Sequence, residues 1–309
     1  AQLPEVQLAL GDVLTALGRT DQGIEQYKAV LAKNAQSYEA MLGLAGAYED
    51  KEQYADAENY YHQAISLRPN DWVALNELGS FYFAQGRYQD AADKWQQVAS
   101  LASLNPVGFA NLGLAYYALG KLADAEKAYR DSLQIRFTIA AKTNLGVVLF
   151  ERGDYKNAAT EFKEACDKAP RRIEVWGNYA DSLRAIERRD EAIAAYDQAI
   201  KLVRERLQTA PRDAEYISLL AEYLAKCDED QEALKNIEQA LTIKRSVSLK
   251  SAVIVYALSN HQSDALQLLS EALSSELYNV QTFDNAPELA ELRVNPEYKR
   301  VTQPYRDHN

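Results

Sequence analysis

The sequence predicts an all-α fold: a solenoid of about eight helix-turn-helix repeats closed by a C-terminal helical cap. Three observations predict it. First, an alanine precedes a bulky apolar residue by four at Ala57/Tyr61, Ala91/Trp95, Ala125/Tyr129, Ala158/Phe162, Ala192/Tyr196, Ala233/Ile237 and Ala265/Leu269, with Gly23/Tyr27 as an earlier copy. The successive intervals from residue 23 are 34, 34, 34, 33, 34, 41 and 32. Second, twelve residues before seven of the eight markers stands a small residue after an apolar one: Leu10-Gly11, Leu44-Ala45, Leu78-Gly79, Leu112-Gly113, Leu145-Gly146, Tyr179-Ala180 and Leu220-Ala221, while the eighth copy reads Ala252-Val253. Third, glycine recurs at the turns, at Gly18, Gly86, Gly120 and Gly153, where the left-handed conformation ends a helix. Asn260 can fill that role in the eighth copy.

Each copy is thus two short amphipathic helices. The first carries apolar residues at helical spacing, as in Leu75, Leu78 and Tyr82. The second opens on an acid or amide, at Asp56, Asp90, Asp124, Asn157, Glu191, Glu232 and Asp264, which complements the helix dipole. One such pair cannot bury its own apolar face, so the pairs must stack. The predicted repeats span 4–37, 38–71, 72–105, 106–138, 139–172, 173–213, 214–245 and 246–272, an array over 1–272. The 41-residue interval makes Asp197 to Gln208 part of one long second helix, ended near Ala210-Pro211. Eleven tyrosines (27, 48, 54, 61, 82, 88, 116, 129, 155, 196 and 256) fall at recurring core positions. Residues 273–309 follow as capping helices, with starts at Asn285-Ala286-Pro287-Glu288 and Asn295-Pro296-Glu297.

These markers resemble the tetratricopeptide repeat family, whose pattern is large-x₂-Leu-Gly-x₂-Tyr followed by Ala-x₃-Phe. Leu75, Leu78, Gly79, Tyr82, Ala91 and Trp95 carry the match in the third copy, and Pro69 and Pro170 supply the terminal proline elsewhere. The tail, with Pro287 to Arg293 and Asn295 to Tyr298, is similar to the end of repeat modules in bacterial serine/threonine kinases and winged-helix activators. The family resemblance implies a right-handed superhelical solenoid with a concave groove lined by positions 2, 5, 9, 12 and 13 of each first helix.

On this register the candidate peptide-binding residues are Asn76, Ser80, Phe83, Val107, Leu114, Tyr117, Thr143, Val147, Phe150, Asp181 and Arg184. Acidic positions such as Glu5, Asp12, Glu39, Glu49 and Asp50 precede them, and Glu174, Glu215 and Glu222 follow. The lysine and asparagine that clamp a carboxylate in the chaperone-binding members are replaced by Leu8/Asp12, Leu42/Gly46, Asn76/Ser80, Ala110/Leu114 and Thr143/Val147. The expected partner is a protein or peptide with an apolar segment and basic flanks.

Composition narrows the function further. The 309 residues carry a net charge of −11, which does not suit the phosphate-dominated binding of nucleic acid. Apolar runs such as Val147 to Phe150 fall far short of the ~20 residues that cross a membrane, so no direct membrane insertion is expected. Two cysteines, Cys166 and Cys227, form no short pairing or zinc motif, and His62, His261 and His308 lie at no ligand spacing. No phosphate loop, dinucleotide fingerprint or nucleophile elbow is present. We therefore expect no enzyme, no cofactor and no metal.

The expected activity is a non-catalytic protein- or peptide-binding scaffold, in the regulatory or sensory part of a larger bacterial signalling protein. The alternative is a subunit of a secretion, envelope-assembly or polysaccharide-export complex. The chain starts at Ala1-Gln2, which leaves a mature secreted form and a fragment of something longer both open. The compartment is undetermined, with a periplasmic or membrane-associated setting favoured over the cytoplasm. Leu3, Val6 and Leu10 leave the front of the array uncapped, which points to self-association or an upstream domain there.

Overall fold

The computed structural model describes residues 3–306. Among them the secondary structure is helical throughout, without a strand. The helices cluster into two compact units, residues 1–152 and 153–309.

In unit 1, α1 (Pro4–Ala16) pairs with α2 (Thr20–Lys33), α3 (Tyr38–Asp50) with α4 (Tyr54–Leu67), α5 (Trp72–Ala84) with α6 (Tyr88–Leu101), and α7 (Pro106–Ala118) with α8 (Leu122–Ile135). The unit ends on α9 (Ile139–Glu151). Local chemistry sets these boundaries. Ser37, Asp71, Asn105 and Thr138 cap α3, α5, α7 and α9 by accepting a backbone N–H from the first turn. Gly86 and Gly120 leave their helices at φ 73° and 70°. Glu52 adopts the same left-handed conformation at 58°, which costs a side-chain-bearing residue about 1 kcal/mol.

The core of unit 1 is made by second-helix aromatics inserted beside first-helix glycines. The Tyr27 ring of α2 lies between Gly11 of α1 and Gly43 of α3. A Cβ added at those glycines would stand 2.6 and 2.5 Å from it. Gly79 faces Trp95 and Gly113 faces Tyr129 in the same way. The small residues of the repeat are thus sockets for rings. Tyr27, Trp95 and Tyr129 are all buried, and Phe81 joins Tyr61 and Tyr82 in a tilted cluster with ring centres 5.6 and 5.7 Å apart. Tyr54 departs from the expected core pattern. It is 45% exposed and meets only the edge of Phe81, because the first residue of a second helix sits at the rim of the hairpin.

Unit 2 contains α10 (Tyr155–Lys168), α11 (Ile173–Ala185), α12 (Arg189–Thr209), α13 (Ala214–Lys226), α14 (Asp230–Ile243), α15 (Arg245–Leu258) and α16 (Gln262–Ser274). Helix α12 has 21 residues and absorbs the long interval before Pro211. A single residue, Lys244, separates α14 from α15, which accounts for the shorter interval that follows. Asn260 takes the left-handed conformation at φ 62°.

The tail folds as α17 (Val280–Asp284), a 3-10 turn (Pro287–Leu289), α18 (Ala290–Arg293), α19 (Pro296–Thr302) and a last 3-10 turn (Gln303–Tyr305). The predicted helix start at Asn285 becomes a turn, because Asn285 closes α17 and Ala286 has no side chain able to cap. Asn295 does cap α19. Phe283, Leu289, Leu292 and Tyr298 are buried in one cluster with α15 and α16 residues such as Leu249, Val253 and Leu269.

Two substitutions three residues apart on α3 test the socket reading. Gly43→Ala drives a Cβ into Tyr27 and should destabilise by about 1–3 kcal/mol. Gly46→Ala meets nothing within 4 Å and should stabilise by about 0.5–1 kcal/mol through helix propensity. Chemical denaturation of the two variants distinguishes them by opposite shifts in midpoint.

Candidate protein-docking face

The inserted rings carry their polar tips through to the first-helix side of unit 1. Tyr27 donates its hydroxyl to Asp12 at 2.7 Å, and Tyr61 donates to Glu49 at 3.2 Å. Trp95 donates its indole N–H to the Asn76 carbonyl at 3.3 Å. Burial, with help from Asp12, pushes the Tyr27 hydroxyl up to about 12. The core therefore fixes which polar groups the first helices present.

Neighbouring first helices are tied to one another across this face. Asn111 of α7 donates to the Asn76 side chain of α5 at 2.9 Å, and Tyr117 of α7 donates to Glu151 of α9. Glu49 stands near Asp50 and Glu77. Burial raises its carboxyl above the ordinary value, the two neighbouring carboxylates add to that, and the Tyr61 hydroxyl acts against it.

The sequence-derived residues fall on this side as follows. Ser80 is exposed and bonds back to the Asn76 carbonyl at 3.1 Å. Phe83 is half-buried, and its ring leans on Tyr88 and Trp95 of its own hairpin, 5.1 and 5.7 Å between centres. Val107 is exposed at the start of α7. Leu114, Tyr117, Val147 and Phe150 are all half-buried. Thr143 of α9 has its Oγ1 shielded from solvent and without a hydrogen-bond partner.

The two candidates in unit 2 have different surroundings. Arg184 is exposed and lines a cleft of about 360 Å³ with Glu187, Arg189 and Tyr196. Asp181 is engaged within the protein: it accepts from Tyr196 and, at 2.7 Å, from Lys226. The Lys226 side chain is 4% exposed and reaches Glu288 of the tail, also at 2.7 Å. Desolvation opposes the Lys226 charge, but Asp181, Tyr196 and Glu288 outweigh it and hold its pKa well above the usual value. Burial alone would raise the Glu288 carboxyl, yet the Lys226 charge and hydrogen bond bring it below the ordinary range. Glu222 beside them is raised by burial. Glu288 lies outside any repeat, and no spacing rule brings it to Lys226.

The reactive residues are spread apart. His62 approaches Glu58 at 3.8 Å, and His261 approaches Asp264 at 3.6 Å. His308 lies outside the described residues. Burial pushes both the Cys166 and Cys227 thiols up to about 12, away from the reactive thiolate. Among the described residues no cluster of three His, Cys, Asp or Glu could hold a metal ion, and no helix is long and apolar enough to cross a membrane.

Removing Lys226 leaves buried carboxylates without their cation. Lys226→Met should cost about 3–5 kcal/mol and release the tail, seen as faster amide exchange over 283–298. The Glu288 contribution has a defined sign. Its carboxyl is depressed in the fold, so its stabilisation is present above the unfolded carboxylate pKa and is lost as pH falls through the folded value. In Glu288→Gln, acid titration of tail exchange should lose that component.

Comparison with solved structures gives the same architecture. A tetratricopeptide repeat protein from Parabacteroides merdae shares 19% identity, with a TM-score of 0.63 over 84% of this chain and 100% of that one. PilF of Pseudomonas aeruginosa shares 21%, with a TM-score of 0.55 over 64% and 91%. MamA shares 18%, with a TM-score of 0.52 over 55% and 94%. No curated protein matches the chain. Tetratricopeptide repeat profiles match residues 8–57, 47–106, 110–173 and 173–204. That fold generally serves as a non-catalytic scaffold for protein or peptide binding, and this chain belongs to the tetratricopeptide repeat family.

Proposed function

We propose that the first-helix face of unit 1 docks an apolar peptide segment with basic flanks. The observation that carries this reading is a half-exposed apolar run on the same first-helix side as a group of carboxylates. Leu114, Val147 and Phe150, with Tyr117, lie on α7 and α9, while Glu49, Asp50 and Glu77 gather on α3 and α5. Aromatic and aliphatic anchors supply most of the energy of such contacts, and charge at the rim steers the approach. The engagement of Asp181 with Lys226 supports placing this function in unit 1.

Within this activity, the likeness of the tail to modules that follow kinase and winged-helix domains supports a regulatory part of a larger bacterial signalling protein. Expression of the natural gene product and identification of any domain preceding the repeats tests that placement. A kinase or DNA-binding domain supports it, and a signal peptide favours an envelope complex instead.

A random-peptide display selection on this chain tests the docking face. Enriched peptides should combine an apolar core with lysine or arginine. Their affinity should fall at least tenfold, about 1.4 kcal/mol, when Leu114, Tyr117 and Val147 are replaced together by Ser, Ala and Ser. It should also weaken with added salt. Enrichment that is equal on the wild type and a folded triple variant would contradict the assignment.

A further inference from the structure

The first helices α1, α3, α5, α7, α9 and α11 close on Ala16, Asp50, Ala84, Ala118, Glu151 and Ala185. Helix α13 closes on Lys226 instead, with its side chain 4% exposed. A lysine buried where its siblings carry a methyl group or an acid loses its hydration, and carboxylate partners must offset that loss. The repeats supply one partner, Asp181 of α11. The other, Glu288, comes from the tail and is itself 11% exposed.

Covering the end of the array does not require this contact. Helix α19 packs on α16 and the Pro287–Leu289 turn on α15, which closes the last hairpin. Glu288 goes farther and meets α13, the first helix of the preceding hairpin. A buried ion pair adds little net stability over an apolar contact of similar size, but it distinguishes one ligand from another. The segment that brings Glu288 is built as a docked peptide would be. Pro287 fixes a backbone angle at the head of the turn, and Arg293 donates to the Ala286 carbonyl at 2.5 Å. Leu289, next to the acid in sequence, is fully buried in the cluster that contains Leu249 and Val253 of α15. Internal bracing of this kind lowers the ordering cost of docking. A cleft of about 360 Å³ bounded by Arg184, Tyr196 and Lys226 adjoins the ion pair and gives a longer ligand room to extend.

We propose that the first-helix side of unit 2 is a second peptide site, opposite in charge preference to that of unit 1, which this chain fills with its own tail. Its ligand is a proline-headed turn with a carboxylate for Lys226 followed by an aliphatic side chain for the α15 surface, as in Pro287-Glu288-Leu289. A partner protein carrying that pattern exchanges with the tail. Tethering gives the tail an effective concentration on the order of millimolar, so an outside segment gains the site when the Glu288 contact is weakened.

A fluorescein-labelled synthetic peptide spanning residues 283–294 tests this on the whole chain by anisotropy. Glu288→Lys sets one ammonium against another at Lys226 and should release the turn, seen as faster amide exchange over 283–294 with helix content retained. That variant should bind the labelled peptide at least tenfold more tightly than the wild type does. A peptide with the same Glu288→Lys change should bind the variant chain at least tenfold more weakly than the natural peptide. Bound peptide should slow amide exchange in α13 and α15. Should Glu288→Lys lose its helices, Glu288→Gln carries the same comparisons with smaller shifts of the same sign. The proposal is overturned if the tail of the variant stays protected, if the released chain does not take up the peptide, if both peptides bind alike, or if the slowed amides lie in unit 1.

Discussion

The architecture of unit 1 depends on one steric arrangement: an aromatic ring from each second helix needs a gap between first helices, and only small residues leave one. Tyr27 between Gly11 and Gly43 is the clearest case, with glycine on both sides of one ring. Close packing makes such a fit sensitive to single methyl groups. It also links neighbouring hairpins, since Gly11 belongs to the hairpin of Tyr27 and Gly43 to the next one. Stacking in unit 1 is therefore a set of ring-in-socket contacts in addition to general apolar burial.

That arrangement carries over to the first-helix side. A ring deep enough to fill the gap delivers its hydroxyl or indole N–H to the far surface, where a buried polar tip needs an acceptor. Asp12, Glu49 and the Asn76 carbonyl are those acceptors in unit 1, and Asp181 serves Tyr196 in unit 2. Much of the acidity of the first-helix side thus has a structural origin, and a basic ligand would meet carboxylates already held in place. The two units diverge in what they do with that acidity. In unit 1 Glu49 stands near Asp50 and Glu77, whereas in unit 2 Asp181 pairs with its own Lys226, which also ties in the tail through Glu288.

The repeat was legible because its spacing is the packing itself. The alanine and bulky apolar markers recur at the positions that must bury, and Pro211 marks the end of the 21-residue α12. The helix-ending turns at Gly18, Gly86, Gly120, Gly153 and Asn260 were legible for a similarly local reason. The sequence did not show what each small residue is small for, since that depends on which ring arrives from another helix. Nor did it reveal the Lys226–Glu288 contact, which joins residues 62 positions apart. Phe83 illustrates the limit at the docking face. Its position was correctly placed on a first helix, but its ring leans on Tyr88 and Trp95, a rotamer choice that register does not determine. At the front of the array Leu3, Val6 and Leu10 stood out in the sequence, while the exposure of Val13 and Leu17 is seen only in the structure.

A double-mutant cycle on Gly43 and Tyr27 tests the ring-and-socket account most directly. If the ring fills the space that a methyl group would take, the cost of Gly43→Ala must shrink when Tyr27→Leu has already removed the ring. The account predicts a coupling energy of about 1 kcal/mol or more between the two sites. Strict additivity, with Gly43→Ala costing the same in both backgrounds, would contradict it.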